Sequence, residues 1–177
     1  PVMLRSPKAA MATNGINKPV LNIFRMFGMM KGKRVVAESN RSMSADDIIM
    51  DHVRDKVPDI NALASKEENS VSIMIWNYHD NHLPAPPSPV RLIVEQIPAD
   101  EVLVHHYRVD KKHSNSYTVW RKMGAPQQVT DEQYKILEES SELELFESPE
   151  WNNIENNSLL LNYELPRHAV SLIKLEW

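Results

Sequence analysis

Val71-Ser72-Ile73-Met74-Ile75-Trp76-Asn77-Tyr78 is the stretch that decides the fold. Successive side chains of a strand point to opposite faces. Here Val71, Ile73 and Ile75 fall on one face, and Met74, Trp76 and Tyr78 on the other. A strand that is apolar on both faces predicts a central position in a sheet covered on each side. Downstream, Pro84, Pro86, Pro87 and Pro89 exclude helix or strand interior and predict a loop. Val90 to Ile97 reads as a second strand and Glu101 to Val109 as a third. With Pro98-Ala99-Asp100 as a tight turn, the two are expected to form an antiparallel hairpin.

Further on, Asp110 to Gln128 is polar, with one aromatic island at Tyr117-Thr118-Val119-Trp120. Thr130, with Gln133 three residues on, has capping-box form and predicts a short helix burying Tyr134, Ile136 and Leu137. Leu143 to Phe146, Leu159 to Leu165 and Ala169 to Trp177 read as three closing strands. In the second, Leu159, Leu161, Tyr163 and Leu165 share a face. In the last, Val170 and Leu172 oppose Ile173, Leu175 and Trp177.

Upstream of the deciding strand, residues 1–18 are punctuated by Pro and Asn, with Asn14-Gly15 as a turn dipeptide. Pro19 suits the first position of a helix, where its missing N–H costs nothing. Val20, Phe24, Phe27 and Met30 then recur at helical spacing, and Leu21 and Ile23 widen the stripe. Lys31 and Lys33 complement the dipole at the far end, and Gly32 suits the left-handed stop. One helix and at least six strands predict a mainly β chain: an antiparallel β-sandwich with an N-terminal amphipathic helix. That helix needs a layer to pack on, either a sheet edge or an upstream domain. Because the sequence opens with Pro1 and not Met, an excised or processed segment is expected.

A hydrophobic share of 42%, a charged share of 25% and a net charge of -4 fit a globular chain without the basic face that phosphate neutralisation requires. Nucleic acid is therefore not expected as a partner, and no apolar run is long enough to expect a membrane one. Cysteine is absent. No two of Gly15, Gly28, Gly32 and Gly124 have phosphate-loop spacing, so no nucleotide cofactor is expected.

Among residues with chemistry, His79 and His82 could offer metal ligands on a loop. His105 and His106, as strand neighbours, point apart; one is expected in the core and the other outward, so no metal site is assigned. Asp110, His113 and Ser114 have triad residue types, but neighbours in sequence are more simply a self-bonded loop. Asp46, Asp47 and Asp51, and the run Glu138 to Glu150, read as solvated faces without aromatic groups to hold a sugar ring, so no catalytic pair is assigned. Trp76 and Trp177 fall in strand patterns. Trp120 and Trp151 fall in polar stretches and are the candidate sugar-stacking residues.

Four ordered stretches are distinctive as text: Ala12 to Met30 (ATNGINKPVLNIFRMFGMM); Val71 to Asp80; His106-Tyr107-Arg108-Val109-Asp110 with His113 to Trp120 (HSNSYTVW) and Met123 to Gln127 (MGAPQ); and Leu165 to Leu172 (LPRHAVSL). In that order they resemble the final barrel helix, a strand of the accessory sandwich, the longest motif and the closing strand of family 39 glycoside hydrolases of the β-xylosidase type. The resemblance implies a retaining enzyme with an upstream (β/α)8 catalytic barrel as this segment's partner. It also implies xylo-oligosaccharides or related glycosides as substrate, and two glutamates on barrel strands before Pro1. On that basis residues 1–33 are the end of the barrel, with its last helix at about 19–31, and residues 34–177 are the accessory sandwich. The chain alone is expected to be inactive. The alternative is a stand-alone carbohydrate-binding or protein-interaction module.

Overall fold

The computed structural model describes residues 12–54 and 57–177. β1 (Ala12–Thr13) and β2 (Ile16–Asn17) form a minimal hairpin. Asn14 and Gly15 turn it with φ of 50° and 84°, the positive pair that a two-residue hairpin needs. α1 spans Pro19–Met29, with Pro at its first turn as expected. It ends just before Gly32, whose φ is +80° and whose missing Cβ leaves room for the carbonyl of Lys66.

There follow β3 (Lys33–Val35), α2 (Ala45–Asp51), β4 (Asp59–Lys66), β5 (Ser70–Tyr78), β6 (Ser88–Glu95) and β7 (Glu101–Val109). α3 (Ser116–Lys122), α4 (Asp131–Ser140), β8 (Glu150–Asn153), β9 (Ser158–Leu165) and β10 (Val170–Glu176) complete the order. One sheet has six strands in the order β3-β4-β5-β10-β7-β8, and β6 pairs with β9 in a separate ribbon. Every pairing among the described residues is antiparallel. Long-range pairing of this kind is the signature of a β-sandwich.

β5 is the inner strand its sequence predicts, lying between β4 and β10. Ile73 and Ile75 join Val71, Ile173, Leu175, Leu159 and Leu165 in the core beneath the β6–β9 ribbon. Met74 and Leu172 lie on the opposite face, where Met26 of α1 seals them together with Val109. The two faces of β10 divide as its alternation predicts. The domain is therefore layered as ribbon, sheet and helix.

Several expectations fail for stated reasons. β6 and β7 do not form a hairpin: β6 pairs with β9, and β7 with β10 and β8. Gln96 turns the chain with φ of 61°, Ile97 is buried with its N–H bonded to the carbonyl of Asn157, and the chain crosses between layers instead of reversing. Leu143 to Phe146 is not a strand; Leu145 makes a single bridge to Tyr107. The aromatic island is helical, forming α3 under the Asn115 cap. β4, β8 and α2 lie where no element was expected.

α1 is joined to the remainder by more than apolar contact. Asn22 is fully buried, and its amide donates to the carbonyls of Ser114 (3.1 Å) and Ser141 (3.0 Å). Arg25 donates to its Oδ1 at 2.9 Å, so both donors and the acceptor of the amide are engaged. Asn22 and Met26, one turn apart, face inward. Val20, Phe24 and Phe27 consequently face outward and are about half exposed.

Candidate functional site

The two candidate stacking tryptophans are placed far apart. Trp120 lies on α3, whose N-terminus is capped by Asn115 accepting from the Thr118 N–H at 3.1 Å. Its indole donates to the carbonyl of Pro126 at 3.0 Å and leans on the ring of Tyr117. Trp120 is thus a half-buried clasp on the loop after α3, and Tyr117 is the exposed ring of that pair. Trp151 sits on the edge strand β8, opposite Leu103 near the start of β7, and is 61% exposed. Since α3 follows the other end of β7, the two indoles do not line a common groove.

The histidines are likewise dispersed. His79 is buried, and its Nδ1 accepts from the Asn81 N–H. His82 leans on His168, whose Nε2 donates to the carbonyl of Asn81 at 2.8 Å. Asp80 accepts from the Tyr78 hydroxyl and the Val53 N–H; the Tyr78 hydrogen bond draws its carboxyl below the usual range. Among the described residues, no three His, Asp or Glu side chains converge as a metal ion would need. His105 and His106 point to opposite faces as expected: His105 meets Glu176 at 3.0 Å, and His106 is buried.

The Asp110 turn is self-bonded. Asp110 accepts from the Lys112 and His113 N–H groups and from His113 Nδ1 at 2.9 Å, while Ser114 Oγ donates to the Arg108 carbonyl. Asp46, Asp47 and Asp51 line the exposed α2, and the glutamates from Glu138 to Glu150 are also exposed. Two buried carboxylates, Asp59 and Asp110, are fixed by donors; Asp59 takes the Met43 N–H and the indole of Trp76. Asp59 and Asp110, the buried carboxylates among the described residues, therefore anchor backbone and indole N–H groups, whereas glycoside hydrolysis needs two carboxyls facing one sugar-sized cleft.

Sequence reasoning missed one dense polar cluster. Arg108, His106 and Ser171 are buried under the ribbon, at 2%, 2% and 0% exposure. Arg108 Nε donates to Ser171 Oγ at 3.1 Å and Nη1 to the Glu164 carbonyl at 3.0 Å. Its guanidinium stacks on the ring of Phe146, 3.9 Å from the centroid. Arg108 Nη2 also points at His106 Nε2, 3.3 Å away. Arginine can only donate, so Nε2 is the acceptor and the imidazole proton lies on Nδ1, facing Glu147 at 3.3 Å. Ser171 Oγ, 2.9 Å from Nε2, completes a Ser-His-Glu sequence of contacts.

This is not a nucleophilic triad. Ser171 has no exposed surface, and burial followed by the charges of Arg108 and His113 pushes the His106 pKa down to about 3. Such an imidazole is a feeble base at neutral pH. The signal that could have revealed the cluster is parity: His106 and Arg108 share the face of Val102 and Val104, which lie in the core.

The sequence profile described as glycosyl hydrolases family 39 matches residues 8–152. The chain belongs to this family. No curated protein is matched by the sequence. Solved structures agree with the family 39 assignment in fold. The GH39 enzyme from Xanthomonas axonopodis pv. citri superposes with a TM-score of 0.73 at 16% identity, over 92% of this chain and 31% of that one. A monomeric beta-xylosidase from Caulobacter crescentus CB15 gives 0.73 at 17% identity, over 94% of this chain and 32% of that one. A bacterial orthologue of human α-L-iduronidase gives 0.74 at 15%, over 91% and 27%. This family 39 chain therefore spans about a third of the length of these enzymes. Three of the four stretches that carry the sequence resemblance lie inside the matched residues, and the closing strand lies beyond them.

Proposed function

We propose that the chain is the C-terminal, non-catalytic part of a retaining glycosidase resembling β-xylosidases, and that its role is to support an upstream (β/α)8 barrel. The substrate of the whole enzyme is then a xylo-oligosaccharide or related glycoside, and the acting glutamates belong to the barrel. Residues 1–33 close the barrel and residues 34–177 form the sandwich.

The observation that carries this reading is the outer face of α1. Val20, Phe24 and Phe27 are 44%, 53% and 46% exposed, on a helix whose other face is sealed by Asn22 and Met26. A run of half-exposed large apolar side chains marks a surface made to be covered. Completing their burial is worth on the order of 1 kcal/mol each. The engagement of the buried Asp59 and Asp110 by backbone and indole donors supports the same division of labour.

The test is direct. The 177-residue chain should not hydrolyse an aryl β-xyloside above background. Supplying the barrel should restore turnover, and Phe24→Ser should weaken that restoration. Hydrolysis by the chain alone would sink the reading. A second reading, a saccharide-binding module, is favoured only by the exposure of Trp151. A fluorescence change with xylo-oligosaccharides that vanishes in Trp151→Ala would support it, and a flat titration would remove it.

A further inference from the structure

We propose that a proline-walled recess at one end of the sandwich binds an acidic sugar through its carboxylate. Four stretches of chain meet there: Arg41 and Pro58 ahead of β4, Asn77 at the end of β5, Ala85 to Pro89 running into β6, and Arg167 between β9 and β10. They enclose a cavity of about 220 Å³. A water molecule takes about 30 Å³ of liquid, so the space suits one sugar ring and not a chain of them.

Charge sets the sign of the ligand. Two arginines line the recess, and no Asp or Glu stands among the described residues that line it. Among the described residues the Arg41 guanidinium has no hydrogen-bond or ion-pair partner; the bonds of Arg41 are made by its backbone N–H and carbonyl. Arg167 is held from one side, where Nη1 donates to Asn81 Oδ1 at 2.7 Å and to the Leu83 carbonyl at 3.2 Å. Two cations bordering one space repel each other, and a carboxylate between them removes that cost. The planar guanidinium fork matches a carboxylate in shape as well as in charge.

The neutral lining sets the rest of the molecule. Asn77 is 2% exposed, and its amide donates to Ser88 Oγ at 3.3 Å and to the Leu165 carbonyl at 2.9 Å, but its Oδ1 has no donor. Arg167 Nε is buried without an acceptor. One orphan acceptor and one orphan donor therefore belong to residues of the same recess, and hydroxyl groups answer both. A bare anion such as acetate brings no donor for Oδ1, and a neutral sugar leaves the arginines uncompensated. A hydroxy acid of sugar size meets every group. Pro58, Pro86, Pro87 and Pro89 supply apolar walls for the C–H face of its ring, and their fixed φ keeps the recess formed before the ligand arrives. The choice of a sugar acid over other hydroxy acids rests on the reading of this chain as part of a glycosidase.

Calorimetric titration with D-glucuronate, on this chain and on the full-length enzyme, tests the proposal. Saturable one-to-one binding is expected in both, with D-glucose and acetate weaker by about tenfold or more. Arg41→Gln, which removes no bond of the fold, should weaken glucuronate binding about tenfold. The Arg167 Nε–H signal in the NMR spectrum of the 177-residue chain should shift with the same saturation. Absence of binding with an unmoved Arg167 signal would overturn the proposal. Acetate or phosphate binding as tightly as glucuronate would also overturn it, by reducing the recess to a simple anion hole, and so would equal binding of D-glucose. Binding by the 177-residue chain that is missing in the full-length enzyme overturns it as well, because a carboxylate from the rest of that enzyme is then the occupant. None of these readouts requires turnover. Failure to bind sinks this inference alone, whereas xyloside hydrolysis by the 177-residue chain sinks the functional reading alone.

Discussion

Lowering the pH from 8 to 4.5 should cost the domain about 2 kcal/mol of folding stability through His106 alone. In the folded state burial and the nearby charges of Arg108 and His113 hold its imidazole neutral, with a pKa of about 3 against an ordinary 6.5. The unfolded chain takes up the proton near that ordinary value, so acid favours unfolding. The contribution is intact above about pH 6.5 and is lost progressively as pH falls toward 3. At pH 4.5 the unfolded imidazole is about two units below its pKa, which at about 1.4 kcal/mol per unit sets an upper figure of about 2.7 kcal/mol. Glu147, 3.3 Å from Nδ1 and mostly exposed, would partly stabilise the imidazolium and brings the expectation to about 2 kcal/mol. Urea unfolding at both pH values, on the native chain and on His106→Gln, isolates this share as a difference of differences. A thermal scan should show the native chain losing roughly 4–8 °C more than the variant. If the two lose stability equally, to within about 0.5 kcal/mol, the neutral buried imidazole is not what acid attacks and the argument fails.

Three further outcomes are expected from denaturant unfolding of the chain. Met26→Ala should cost about 3 kcal/mol by opening a cavity between α1 and the sheet, whereas Phe24→Ser, half exposed on the outer face, should cost only about 1 kcal/mol. Gly32→Ala should cost more than about 2 kcal/mol, because its Cβ would lie 2.1 Å from the Lys66 carbonyl oxygen; Gly124→Ala, at φ +86° in open space, should cost only about 1 kcal/mol. Thr130→Ala should cost about 1 kcal/mol by removing the cap that accepts from the Gln133 N–H at 3.2 Å.

What was legible in the sequence was local. The capping box at Thr130 and Gln133 is present in full, with both reciprocal bonds made. The two-sided apolarity of β5 and the split faces of β10 report their own burial, because a strand's period records its two environments. Pairing partners were not legible. β6 finds β9 more than sixty residues away, and the nearer partner was refused because Gln96 and Ile97 redirect the chain. α3 has β-branched and aromatic residues of poor helix propensity; its Asn115 cap and its packing against α4 make the helix. At the candidate site the separate positions of His105 and His106 were readable from parity. Parity also put His106 and Arg108 together on the core face, but their partners Ser171, Tyr163 and Glu147 were not readable, since they meet these two only after folding. Trp120 looked exposed because its neighbours are polar, but its indole is satisfied by the Pro126 carbonyl on the following loop.

The engaged amide of Asn22 has a mechanical consequence. Sliding α1 across the sheet would strand the carbonyls of Ser114 and Ser141 and uncover Met26 in the same movement. The helix is therefore keyed to the body behind it like a dowel, and a push on Phe24 or Phe27 is passed to β7 and β10 instead of being absorbed by a bend in between.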